Sequence, residues 1–178
     1  MNNLQINKID FKTSFYEMDL EFDNTKVLNF LKKHPFRNSE AMTTYFDNQN
    51  ILENAEELSE LKEFIDLHLH IFNANILQRD KFFIKESWFQ AYGINSYHPL
   101  HIHGTEYQNY SLIFYIQTTE DSSKTIFYCP GFPYVPEQKH HITPKQGRLV
   151  IFPSYIPHCV KTNNDEQRII LSANVNFD

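Results

Sequence analysis

Arg168-Ile169-Ile170-Leu171-Ser172-Ala173-Asn174-Val175 reads as a β-strand with two unlike faces. Side chains alternate across a strand, so Ile169, Leu171, Ala173 and Val175 share one face while Arg168, Ile170, Ser172 and Asn174 share the other. An apolar face must meet another layer, whereas a face carrying arginine, serine and asparagine suits a cavity. The spacing predicts a layered β-fold with helices against the first face and a cleft beneath the second.

Upstream, six further runs read as strands, at about 83–92, 100–103, 110–117, 125–129, 148–152 and 158–162, with the last at 167–175. Glu120-Asp121-Ser122-Ser123 and Asn163-Asn164-Asp165 supply turn residues between them. Short strands at this spacing predict a sandwich or jelly roll. Before about residue 82 the pattern is helical. Asp23-Asn24-Thr25 offers a cap for a helix over 26–33 with Val27, Leu28, Phe30 and Leu31 as its apolar stripe. A second amphipathic helix, 54–71, carries Leu58, Leu61 and Ile65, with Phe72 just beyond it. The expectation is one mainly β domain over 1–178, with a helical part over about 1–82 and a β core over about 83–178.

The histidines concentrate chemistry on that core. His101-Ile102-His103 places two imidazoles on one face of a strand, and His158 follows Phe152-Pro153-Ser154-Tyr155-Ile156-Pro157. A turn centred on Asn163 or Asn164 would set Arg168 opposite His158 in a hairpin. Neutral imidazole is a common ligand for Fe(II), Zn(II), Cu(II) and Ni(II), and a buried arginine beside such a cluster needs an anion. The combination points to an iron enzyme with a carboxylate cosubstrate. His98 lies three residues before His101, on the opposite face of a regular strand, and is expected to stand behind the ligands or face the substrate. His140-His141, His68, His70 and His34 receive no catalytic role; the adjacent pair suits a loop or strand edge.

Composition narrows the function classes. With four glycines the chain holds no Gly-rich phosphate loop, and a formal charge of −6 argues against sequence-independent nucleic-acid binding. Cys129 and Cys159 lack metal-site spacing and are expected as buried, reduced side chains. The first residues show no apolar signal core and no run reaches the ~20 apolar residues of a membrane helix, so a cytoplasmic protein is expected.

His101-Ile-His103, the strand Tyr110 to Tyr115, the segment Gly147-Arg-Leu-Val-Ile-Phe-Pro-Ser-Tyr-Ile-Pro-His158 and the run Arg168 to Asn174 together resemble the 2-oxoglutarate/Fe(II)-dependent oxygenases. They are most similar to a group of small 2-oxoglutarate/Fe(II) oxygenases of bacteria and phages, over roughly 86–177. The resemblance implies a double-stranded β-helix, or jelly roll, with N-terminal helices packed on one sheet. It implies Fe(II) held by His101, His103 and His158, and 2-oxoglutarate as cosubstrate, with Arg168 on its distal carboxylate and Tyr115 or Ser172 adding a hydrogen bond. The implied activity consumes O2 and 2-oxoglutarate and hydroxylates a further substrate, releasing succinate and CO2. One departure stands out: most of the superfamily has Asp or Glu where this chain has His103.

Two other readings share the architecture. A cupin, either a three-histidine dioxygenase or a non-catalytic metal binder, matches His101-Ile-His103-Gly-Thr-Glu106 and then Gly147, Pro153 and His158. Glu106 falls one residue early in that motif, Tyr155 replaces its glycine and Thr162 its asparagine. Arg168 separates the readings, since a cupin has no use for it. A jelly-roll binding module with incidental histidines would bind no metal at all.

Overall fold

In a computed structural model, the described residues are 13–34, 36, 42–104, 109–129, 139–165 and 167–178. Ten strands and three α-helices follow one another as β1 (Tyr16–Asp19), α1 (Thr25–Lys33), β2 (Met42–Thr43), α2 (Ile51–Asn54), α3 (Ser59–Phe72), β3 (Phe82–Tyr92), β4 (His98–His101), β5 (Tyr110–Gln117), β6 (Thr125–Tyr128), β7 (Lys139–Ile142), β8 (Arg148–Pro153), β9 (His158–Val160) and β10 (Arg168–Phe177). They build two antiparallel sheets, ordered β1-β8-β5-β10-β3-β2 and β4-β9-β6-β7.

The two faces of β10 divide as their alternation dictates. Leu171, Ala173 and Val175 join Val27, Phe30 and Leu31 of α1 and Leu61, Ile65, Leu69 and Phe72 of α3 in one apolar cluster. Ile170 turns the other way and packs with Tyr92, Tyr115, Phe127, Val150 and Phe152 between the sheets. The helices thus cover the outer face of the larger sheet, and the second core lies inside the β-sandwich, the jelly-roll arrangement expected.

Local chemistry fixes the helices. The Asp23 carboxylate accepts from the Thr25 amide (3.0 Å) and hydroxyl (2.6 Å), opening α1, while Asn24 Nδ2 donates to Ile116 O at 2.8 Å and ties that start to β5. Lys32 and Lys33 lie in the last turn, where the helix dipole favours cations. In α3, Leu61, Ile65, Leu69 and Phe72 recur at helical spacing on the buried face, and Lys62 pairs with Asp66 one turn on at 2.7 Å.

The structure departs from the sequence reading in three places. The part before residue 82 also gives strands to the larger sheet, because β1 pairs with β8 and β2 with β3. Strand β7 forms at the edge of the smaller sheet from Lys139-His140-His141-Ile142, the strand-edge place expected of the two histidines. Finally, β9 and β10 are not a hairpin. β9 pairs with β4 and β6, whereas β10 pairs with β3 and β5. The link between them crosses from one sheet to the other because Asn163 is a buried strut. Its Nδ2 donates to Tyr92 O (3.0 Å) and its Oδ1 accepts from the Ser123 amide (2.9 Å).

Candidate functional site

Strand register brings the first two histidines together. His101 stands directly opposite His158 across the β4–β9 ladder, and their ring centroids are 4.2 Å apart. His103 lies beyond the end of β4, where its amide donates to Ser154 O at 3.0 Å. That bond returns its ring to the pair, parallel to His158 within 4° and with the two Nε2 atoms 3.3 Å apart. One ligand atom from each of His101, His103 and His158 falls within 4.8 Å of the others. The same-face expectation for His101 and His103 holds although only His101 is in the strand.

The non-facing nitrogens decide the tautomers. His101 Nδ1 lies 2.8 Å from Pro99 O and His158 Nδ1 lies 3.0 Å from Ile156 O. A carbonyl only accepts, so each Nδ1 carries the proton and each Nε2 keeps its lone pair. Burial pushes His158 well below the usual imidazole range, brings His103 down to about 4 and lowers His101. The charges of neighbouring histidines add to the effect on His158 and His103. The imidazoles are therefore neutral at pH 7, the form that binds a cation. The Nε2 atoms of His103 and His158 face each other at 3.3 Å, close enough to share either a proton or a cation. Imidazole–metal bonds of about 2.1 Å at right angles place adjacent nitrogens about 3 Å apart, so the spacing suits a metal ion.

His98 departs from the expected geometry. A β-bulge between His98 and His101 breaks the alternation, and the two rings stack at 4.0 Å instead of facing apart. Burial, with the charges of His101, His103 and Arg168, brings His98 down to about 3. Its Nδ1 meets the Tyr92 hydroxyl at 3.3 Å, so it backs the cluster, as expected, on the cavity side.

Arg168 approaches from the other sheet. It is fully buried, donates from Nε to Ser123 O (3.1 Å) and from Nη2 to Thr125 Oγ1 (2.9 Å), and lies 4.2 Å over the Tyr92 ring. Nη1 has no hydrogen-bond partner among the described residues, nor does Arg168 make an ion pair there. Tyr115, also fully buried, places its hydroxyl 2.8 Å from the same Thr125 Oγ1, with its ring 5.5 Å from the guanidinium. Ser172 faces the cavity that His98, His101, His103 and His158 line with Tyr92 and Thr125.

Sequence reading missed Tyr92, Gln90, Trp88 and Thr125 as cavity residues. Their signal was present: Trp88, Gln90 and Tyr92 alternate along β3 with Phe89, which enters the helix-side core. Glu106, the acidic residue of the cupin reading, lies outside the described residues. Cys159 is buried and Cys129 only partly so, a correction to the expectation that both are buried. Cys129 sits at the end of β6, beside the mouth of a separate groove lined by Phe15 and Phe127. No described helix is long and apolar enough to cross a membrane.

Comparison with known proteins agrees with this geometry. No curated protein sequence matches the chain. Among solved structures, a Pseudomonas putida prolyl-4-hydroxylase superposes with a TM-score of 0.68 at 14% identity, covering 93% of this chain and 94% of that one. HygX from Streptomyces hygroscopicus, solved with nickel and 2-oxoglutarate bound, gives 0.69 at 9% identity, covering 92% of this chain and 83% of that one. A 2OG-Fe(II) oxygenase family oxidoreductase from Burkholderia pseudomallei gives 0.53 at 16% identity over 60% of this chain, which spans half of that protein's length. These likenesses carry the fold. Residues 86–174, half of the chain and the stretch that contains all three clustered histidines and Arg168, match the family described as "Putative 2OG-Fe(II) oxygenase"; the chain belongs to that 2OG-Fe(II) oxygenase family.

Proposed function

We propose that this protein is an Fe(II)- and 2-oxoglutarate-dependent oxygenase in which His101, His103 and His158 hold the iron through Nε2 and Arg168 binds the distal carboxylate of 2-oxoglutarate. One observation carries the reading: a fully buried guanidinium with an unpartnered Nη1 beside a cavity that three neutral imidazoles enter from the opposite sheet. Burying an unpaired charge costs several kcal/mol, so a cation in this setting implies an anion that binds there. The imidazoles select the complementary partner, a divalent metal. A 2-oxo acid reaching from metal to arginine satisfies both halves of the cavity.

Iron with 2-oxoglutarate supplies oxidation of a C–H bond by O2, with release of succinate and CO2. The protein's own residues bind and orient. Thr125 Oγ1 accepts from Arg168 Nη2 and meets the Tyr115 hydroxyl, so two groups hold the guanidinium plane while Tyr92 stacks on it. Tyr115 acts on the carboxylate through Thr125, and Ser172 adds a hydroxyl at the cavity wall. The cavity is small, about 20 Å³, so the cosubstrate enters with side-chain movement.

The test is a titration of the Fe(II)-loaded protein with 2-oxoglutarate under argon, following the metal-to-ligand charge-transfer band. A saturable band supports the reading. Iron binding without such a band moves the protein to the three-histidine cupin class, and no iron binding leaves a non-catalytic jelly-roll module.

A further inference from the structure

Strand β3 continues the cavity face past the histidines. Trp88, Gln90 and Tyr92 line the cavity on alternate residues, while Phe89 turns to the helix-side core. Regular alternation would put both Glu86 and Ile84 on that cavity face. Ile84 instead packs against the helix-side core, because a register shift against β10 leaves Lys85 as an extra residue between the two. Bulges re-aim side chains in this way. The regular alternation of the cavity face therefore ends on a carboxylate, Glu86.

That carboxylate is half-buried and held at both oxygens. Oε2 accepts from Asn174 Nδ2 at 2.7 Å and Oε1 from the Tyr45 hydroxyl at 3.3 Å. Asn174 is itself buried and accepts from the Ser111 hydroxyl at 3.0 Å, which fixes the orientation of its amide. No lysine or arginine pairs with Glu86 among the described residues. Each oxygen keeps a further lone pair for a donor. The Tyr45 ring meets Trp88 edge-on at 5.2 Å, and the Trp88 ring lies 6.0 Å from that of His103. A carboxylate beside a tyrosine and a tryptophan suits an organic cation, with the charge on the carboxylate and the alkyl stem along the rings. A second observation points to a ligand at the same wall. Trp88 and Gln90 are only 8% and 9% exposed, yet Trp88 Nε1 and Gln90 Nε2 have no hydrogen-bond partner among the described residues. Gln90 Oε1 accepts from the Tyr92 hydroxyl at 3.2 Å, so its NH2 end is the one left for something else.

We propose that Glu86, walled by Tyr45 and Trp88, is the substrate-recognition residue of this oxygenase, and that the substrate is an organic cation, an alkyl ammonium or guanidinium. Its charged end sits on Glu86 and a carbon further along it faces the metal. The proposal rests on the metal and cosubstrate site proposed above. Same-face residues of a strand are about 7 Å apart, so the reach from Glu86 past Trp88 to His103 is that of a short alkyl chain. Strand β3 then passes the three partners of the reaction in order, with Glu86 at the substrate's cation, Trp88 beside the metal and Tyr92 beside Arg168. Trp88 Nε1 and Gln90 Nε2 offer donors to an acceptor on the substrate. The net charge of −6 favours the encounter with a cation.

Trp88 is the only tryptophan of the chain, so its fluorescence reports on this wall alone. The test is a titration of the purified protein at constant ionic strength with n-butylammonium and n-butylguanidinium, beside the neutral n-pentanol and the anion pentanoate. Wild type is expected to give a saturable change with a cation and none with the alcohol or the anion. Glu86→Gln keeps partners for Asn174 and Tyr45. It is expected to bind the cation about 10–100-fold more weakly, while its Fe(II) form binds 2-oxoglutarate as wild type does. Should Glu86→Gln fail to fold, Tyr45→Leu carries the test, with an expected loss of about 2–5-fold. Equal responses to n-butylammonium and n-pentanol, no response to either cation, or unchanged cation affinity in the variant overturns the cation subsite and leaves the metal site standing. Cation binding to a protein whose Fe(II) form shows no 2-oxoglutarate band overturns the metal and cosubstrate site, and with it the claim that the cation is a substrate.

Discussion

Arg168→Met tests the cosubstrate assignment from two directions. The guanidinium has five N–H donors; Nε serves Ser123 O at 3.1 Å, one Nη2 hydrogen serves Thr125 Oγ1 at 2.9 Å, and Nη1 is unpartnered. A carboxylate meeting Nη1 and the second Nη2 hydrogen makes two parallel charge-assisted bonds. At about 1.5–3 kcal/mol each, the pair contributes about 3–6 kcal/mol, and water entering the vacated space recovers part of that for the variant. The low end, about 100-fold in 2-oxoglutarate affinity, is the expected loss. Without cosubstrate the sign changes. Replacing an unpaired buried ion with a matching apolar side chain is often neutral or stabilising by about 1–4 kcal/mol. Loss of the stack on Tyr92 at 4.2 Å and of two hydrogen bonds offsets that gain. The variant should therefore melt close to the wild type when no cosubstrate is present. The assay is thermal unfolding of the metal-loaded proteins under argon, with and without 2-oxoglutarate. At about 100 times the wild-type Kd, the cosubstrate adds about 2.7 kcal/mol to wild type. That is about 5–10 °C in Tm for a chain of this length. A 100-fold weaker variant gains about 0.4 kcal/mol, or roughly 1 °C. Equal shifts in the two proteins refute the assignment. A variant that melts far below wild type without cosubstrate makes Arg168 a structural residue instead.

Three further outcomes follow from the same structure. His158→Ala removes the most deeply buried of the clustered imidazoles and should lower metal affinity by more than the about 10–100-fold of an outer partner; unchanged metal content by atomic absorption would sink the ligand assignment. Gly147→Ala should cost at least about 2 kcal/mol, because φ there is +79° and a Cβ would sit 2.1 Å from Leu20 O; urea unfolding within a few tenths of a kcal/mol of wild type would show the turn can relax. Asp19, whose carboxyl is held well below the usual range by hydrogen bonds from Arg148 and Lys145, clamps β1 at the sheet edge. Its folded pKa is depressed, so its modest contribution is present above about pH 4 and is lost as pH falls toward the folded value. Urea midpoints of Asp19→Asn and wild type should differ at pH 7 and converge below pH 4; a gap that widens in acid contradicts that sign.

What could be read from the sequence was set by periodicity. The faces of β10 and the stripes of α1 and α3 were legible because each buries one regular side against one layer. Strand β1, Tyr16-Glu17-Met18-Asp19, was not, since four alternating residues in a polar stretch carry too little signal. Strand β7 is polar at three of four places because it is an edge. His101, His103, His158 and Arg168 were singled out together although the route linking them was mistaken. Asn163 resembles a turn residue by type, yet it is fully buried, bracing β3 and the segment before β6. His98 was placed on the wrong face because Pro99 follows it and the ladder bulges there, which period-two counting cannot register.

The division of the site between two sheets explains which of its parts are local. His101 and His158 lie opposite each other on neighbouring strands, and each finds its acceptor two residues back, next to or at a proline. Proline has no N–H and holds its φ, so these carbonyls are set by a few consecutive residues. Two of the three imidazoles are thus oriented by their own segments. The proposed carboxylate pocket depends on the larger sheet: Arg168 and Ser172 both come from β10, four residues apart. One strand therefore carries both the buried guanidinium and a cavity-lining hydroxyl. A one-residue slip of β10 would exchange Arg168 for Ile169 and Ser172 for Ala173 on that face, removing the guanidinium and the hydroxyl together. Two register shifts hold that alignment: β5 carries an extra residue, Ile116, opposite Ile169 and Ile170, and β3 carries one, Lys85, opposite Asn174 and Val175.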